Sequence, residues 1–279
     1  MPSTTLLPLI FLVALVYASV GHGGASGYLA VMSLLAYAPA RMSSGALMLN
    51  LLVAGTAWLA FWRAGHGSLR LLWPFLAGSV PAALLGGWLQ VSSKTYGWLL
   101  ALALLAAAIR LCLPLTQEAG ALQRPGRLVS TAVGAGIGLI SGIVGVGGGI
   151  FLSPLMILLR WADPKQTAAA SAGFIVINSA AGLIGRAVAG RPVIGPAVPL
   201  LLAAFVGGLV GSRWGARRCF GARLCRVLAA VLAVAASQWM LPHGPPTSLR
   251  LPTADRPAVV RPLTYRWASF QLAERWGDG

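Results

Sequence analysis

Carboxylates are nearly missing from this chain: five Asp and Glu stand against 21 Lys and Arg in 279 residues. None occurs from Met1 to Gln117, and only Glu118 and Asp163 precede His243, both in predicted loops. Paired-carboxylate hydrolysis, a carboxylate metal site and an Asp or Glu proton relay inside a membrane therefore lack their parts. Cation carriers are disfavoured for the same reason. Cys112, Cys219 and Cys225 show no C-x-x-C or His spacing, which leaves no metal or redox site to expect. We expect no enzyme, no catalytic residue, no metal and no cofactor.

Charge of either sign is scarce as well, at 9% of residues against 57% hydrophobic, where a soluble domain carries roughly 25% charged residues. A water-soluble globule is excluded as the starting class. The net charge of +16 would suggest nucleic acid in a soluble chain, but here the arginines fall between apolar stretches, so anionic lipid is the expected partner and nucleic acid is not. Uncharged stretches at 42–62, 71–93, 166–185 and 192–212 each approach the ~20 residues that span a bilayer as a helix. Weaker spans are expected at 95–115, with Arg110 near its end, and at 224–242, with Arg226 near its start.

A repeat organises the rest. Gly21-His-Gly-Gly-Ala25 is echoed by Gly145-Val-Gly-Gly-Gly149, and Met32, Arg41, Arg63 and Gly86 find counterparts at or near Met156, Lys165, Arg186 and Gly211. The expectation is an all-α, polytopic helical membrane protein of about eight hydrophobic segments in two homologous four-segment halves. The first half covers residues 1–118, the second 119–242, and a Pro- and Arg-rich tail, expected to be flexible, covers 243–279.

The opening segment of each half, 6–40 and 128–159, is uncharged for too long. As one helix at about 1.5 Å per residue it would reach roughly 50 Å, beyond the ~30 Å hydrocarbon core. Each is expected to be broken, or to turn back, at its glycine cluster. If both turn back, Lys and Arg outside the tail divide four (Arg41, Lys94, Arg186, Arg191) against twelve between the two sides. That obeys the positive-inside rule and orients the two halves oppositely, as in many secondary transporters.

Glycine loops at helix N-termini offer free amides and partial positive charge, which suits anions. Gly23, Gly24, Gly147, Gly148 and Gly149 are the candidate donors, and Ser26, Asn50 and Asn178 the candidate side-chain ligands. Gly134, Gly138, Gly142, Gly207 and Gly211 fit helix packing instead. His22, the lone histidine inside a span, is the candidate for proton coupling.

The run Gly138-Leu-Ile-Ser-Gly-Ile-Val-Gly-Val-Gly-Gly-Gly149 followed by Pro154, with its counterpart Gly21-His-Gly-Gly-Ala-Ser-Gly-Tyr28, resembles the signature of the sulfite exporter TauE/SafE family over about residues 6–241. The resemblance implies a multi-pass inner-membrane protein that exports sulfite, sulfonates or other small organic anions. The first copy departs from the pattern where Ala25 and Ser26 interrupt the glycines and no proline stands at Ala30. The expected function is transport of a small inorganic or organic anion, by a carrier or facilitator in the cytoplasmic membrane, with homodimerisation open. The alternative is a non-transporting membrane scaffold or assembly protein.

Overall fold

A computed structural model describes residues 3–34, 39–112, 122–191, 193, 195–217, 233, 236 and 237. Glu118, Cys219, Cys225, the expected span at 224–242 and the tail from His243 lie outside these, as do the side chains of Arg41, Arg110 and Cys112.

The described residues form helices without strands: α1 (Ser3–Ser19), α2 (Ala25–Leu34), α3 (Pro39–Phe61), α4 (Leu69–Trp88), α5 (Ser93–Cys112), α6 (Arg127–Val144), α7 (Gly149–Leu158), α8 (Pro164–Val188) and α9 (Val198–Arg217). Local chemistry sets their ends. Ser68 caps α4 by accepting from the Leu71 amide, and Asp163 caps α8 by accepting from the Lys165 and Gln166 amides, with Pro164 in the first turn where its missing N–H costs nothing. Five segments are long and apolar enough to cross a membrane: Met42–His66, Leu69–Trp88, Arg127–Val144, Pro164–Val188 and Val198–Ala216. Their outer faces carry exposed Trp73, Leu128, Val188, Val198 and Leu202, which suits contact with lipid.

Both opening segments break at their glycines, but not into equal halves. α1 and α6, at 17 and 18 residues, run about 25 Å; α2 and α7, at 10 residues each, run about 15 Å. The chain turns back on itself between them. Tyr17 and Ser26 share a hydrogen bond at 2.7 Å, and Gly27 lies against Val13 and Tyr17, so α2 descends beside α1. The Gln123 amide donates to the Arg160 carbonyl at 2.9 Å, which places the start of α6 and the end of α7 at one end of the bundle.

Close approaches between helices fix their directions. Gly134 sits on Phe75, Gly138 on Ser79 and Gly142 on Ala83, so α4 and α6 run parallel with backbone against backbone. Gly207 on Phe11, Gly211 on Leu15 and Gly215 on Ser19 repeat the arrangement for α1 and α9. An added Cβ at any of these would collide with a facing carbonyl. The packing role expected of Gly134, Gly138, Gly142, Gly207 and Gly211 is thus what the structure gives them. α3 and α8 cross in opposite directions, with Leu47 beside Gly182 and Trp58 beside Gly173.

Setting Pro39 against Pro164, the first residues of α3 and α8, aligns Ser43 with Ala168, Asn50 with Ile175 and Phe61 with Arg186. The contacts obey this register: Gly21 packs on Ala168 just as Gly145 packs on Ser43. Arg63, expected from spacing to match Arg186, is instead exposed beyond the end of α3, in a widened turn at Trp62–His66.

Candidate functional site

The two glycine loops meet at the middle of the α3/α8 crossing. Each leaves its long helix through a left-handed glycine, Gly21 (φ 78°) or Gly145 (φ 89°), and enters its short helix through another, Gly24 (φ 89°) or Gly148 (φ 81°). A side chain at any of these is strained, which explains glycine at both ends of both loops. Between them, Gly23 lies against Asn50 and Ile175, and Gly147 against Asn50, Ile175 and Ser179. These residues fall near the centres of α3 and α8. The N-termini of α2 and α7, the positive ends of their dipoles, therefore converge at mid-bundle.

Asn50 ties the loops together. Its Oδ1 accepts from the Ala25 amide at 3.1 Å, while its Nδ2 donates to the Val146 carbonyl at 3.1 Å and more weakly to Ser179 Oγ at 3.5 Å. One fully buried amide thus holds the start of α2 and the middle of the second loop. The backbone amides of Gly23, Gly24, Gly147 and Gly148 donate to no carbonyl among the described residues. Free amides at helix N-termini are a chemistry that suits an anion.

His22 reaches across the repeat. Its Nδ1 lies 3.0 Å from the Val20 carbonyl and its Nε2 2.9 Å from Ser153 Oγ on α7. A carbonyl only accepts, so Nδ1 carries the hydrogen, and a neutral ring then accepts from the serine at Nε2. Ser26 is buried and engaged with Tyr17. Gly149 opens α7 against Ile175 and Ser171.

Asn178 is placed differently. It shares a helix face with Phe174, whose ring lies against Gly148, and its Nδ2 donates to the Phe174 carbonyl within α8 at 3.0 Å. Its Oδ1 is buried with no hydrogen-bond partner. In the helix register it corresponds to Val53, and Ile175 is the counterpart of Asn50. The approximate duplication of two asparagines is therefore not a structural equivalence.

Two contributors were invisible in the repeat. The phenol of Tyr28 lies over Gly24, fully buried, with its hydroxyl unpartnered. Ser179 closes the site from α8, and only its spacing of one residue from Asn178 could have drawn attention to it. Among the described residues no group of three or more His, Cys, Asp or Glu side chains could hold a metal ion.

Residues 6–240 match the family described as sulfite exporter TauE/SafE. A protein of Sinorhizobium fredii (strain NBRC 101917 / NGR234), described as probable membrane transporter protein y4hK, is 33% identical over 228 residues, covering 80% of this chain and 92% of that protein. No solved structure is a significant match.

Proposed function

The chain belongs to the sulfite exporter TauE/SafE family of membrane transporters, and from that premise we propose that it carries a small oxyanion, such as sulfite or an organosulfonate, outward across a cytoplasmic membrane. The observation that carries this reading is the convergence of two helix N-termini and their unpaired glycine amides on Asn50. The site suits negative charge because the free amides of Gly23, Gly24, Gly147 and Gly148 and the positive ends of two helix dipoles meet there. Scarcity of carboxylate supports the same preference, since no Asp or Glu occurs in the first 117 residues to repel the ligand.

In this reading the two halves are an inverted repeat. The antiparallel crossing of α3 and α8, and hairpins that point in opposite senses, support it. Transport then consists of moving the helices around a fixed midplane site so that it opens first to one side and then to the other. His22, hydrogen-bonded between the first loop and α7, is placed to couple protonation to that movement.

Vesicles containing the purified protein are expected to show saturable flux of sulfite or of an organosulfonate such as taurine. Gly24→Leu and Gly148→Leu, made in protein that still reconstitutes, are expected to abolish it. Undiminished flux in both variants removes the glycine loops as the binding site. Silence toward every small oxyanion removes the transport reading.

A further inference from the structure

Outside the loops, the two ends of the α3/α8 pair differ in chemistry. At the end where α3 begins and α8 finishes, a cavity of about 290 Å³ is lined by residues that include Ser43, Ser44, Gln90, Tyr96, Arg186 and Arg191. Gly145, the first residue of the second glycine loop, packs on Ser43, so this cavity abuts the loop. At the opposite end the register puts Ala168, Ala169 and Phe61 where Ser43, Ser44 and Arg186 stand. There Phe61, Ala168, Ala169 and Ala216 form a buried apolar cluster.

Arg186 is 4% exposed. One of its terminal nitrogens donates to the Gly142 and Ile143 carbonyls at 2.8 and 2.9 Å, and Tyr96 donates to the Val144 carbonyl at 3.2 Å. Together they cap the end of α6 just before the loop. The Nε atoms of Arg186 and Arg191 are both buried without a partner. Among the described residues the single carboxylate is Asp163, which caps the far end of α8. Carbonyl dipoles alone do not neutralise a buried guanidinium, and burial of a charge without a counter-charge is costly.

We propose that the cavity at Arg186 and Arg191 is a holding site for the transported oxyanion, in which the anion is the missing counter-ion, and that the Phe61 cluster is the closed gate at the opposite face. The inference rests on the transport reading above. An oxyanion entering the cavity meets two guanidinium groups and then passes Ser43 to the amides of Gly147 and Gly148. The symmetry-related path is plugged by a phenyl ring and three methyl groups. The duplicated frame thus sets a polar cavity at Arg186 against an apolar cluster at Phe61, beside which a second cavity of about 620 Å³ carries Arg63 and Arg213.

The test uses the full chain in phosphatidylcholine vesicles, with sulfite and taurine as probes. Losing one charge-assisted contact is worth about 1.5–3 kcal/mol, so Arg186→Gln should raise the half-saturating concentration roughly tenfold or more. Arg191→Gln, whose guanidinium also donates to the Trp88 carbonyl at the rim, should raise it by about threefold, with an effect that fades as salt screens it. Arg186→Lys should recover part of the loss. Arg191→Gln leaves the α6 cap intact and keeps the test decisive if Arg186→Gln does not fold. Native flux that both glutamine variants leave unchanged overturns the holding site while sparing the transport reading; no flux by the native protein overturns that reading instead. If phosphatidylglycerol stabilises the protein, sulfite does not, and Arg191→Gln removes the stabilisation, the cavity holds a lipid headgroup and the proposal fails. Phe61→Ala should increase leak of sulfite through the protein, and an unaltered leak removes the gate.

Discussion

The loop at Gly21–Gly24 and the loop at Gly145–Gly148 begin and end on left-handed glycines and deliver a helix N-terminus to the same mid-bundle point. Between those glycines they diverge. The first holds His22, hydrogen-bonded to the Val20 carbonyl and to Ser153, and a Gly23 outside the left-handed region. The second holds Val146, which contributes a carbonyl to Asn50, and a Gly147 at φ 79°. The two loops share their backbone turns and differ in the side chains between them. The same division recurs on α3 and α8, where Asn50 faces its counterpart Ile175 across the site.

The strongest way to break this comparison is Gly147→Ala against Gly23→Ala. An alanine at 147 pays about 1–2 kcal/mol for the left-handed backbone and also collides with Asn50, Ile175 and Ser179. We expect loss of nearly all flux there, and a smaller loss at 23, where only the Asn50 and Ile175 side chains must shift. Equal losses would mean that the loops are interchangeable. Asn50→Leu comes next: it leaves the Ala25 amide and the Val146 carbonyl unpaired, at about 1–3 kcal/mol for each buried group. A lowered melting temperature and a drop in flux should appear together. Ile175→Leu, at the matching position, should change neither by much.

His22→Val copies the second loop into the first. Flux should persist while its pH dependence between about pH 5 and 8 flattens; a surviving pH profile would move the coupling elsewhere. The smallest effect belongs to Asn178→Ala. Its amide bonds only within α8, so half-saturation should stay within about 0.5 kcal/mol, or roughly twofold. A loss there as large as that of Asn50→Leu would restore Asn178 to the site.

Much of this was legible in the sequence because the bilayer leaves few options. Uncharged stretches of spanning length located α3, α4, α8 and α9 within a few residues, and the excess length of the opening segments revealed the breaks at Gly21–Gly24 and Gly145–Gly148. The inequality of the broken pieces was not legible, because apolar composition is uniform through α1 and α2 and only contacts such as Tyr17 with Ser26 mark the return. Likewise Asn50 and Asn178 lie on matching helices, but only the register set by Pro39 and Pro164 shows that Ile175, not Asn178, is the counterpart of Asn50. The burial of Arg186 against the end of α6 depends on a helix more than forty residues earlier, which no local pattern encodes.

The parallel pairing of α1 with α9 bears on how the molecule is made. The groove that receives Phe11, Leu15 and Ser19 is built from Gly207, Gly211 and Gly215, near the far end of the described chain. During synthesis α1 must wait in the lipid until those glycines leave the ribosome, whereas α4 meets α6 soon after both emerge. The α1/α9 pairing is therefore among the last to form, and premature stops before Gly207 should leave the first hairpin without its wall and mark the product for membrane proteolysis.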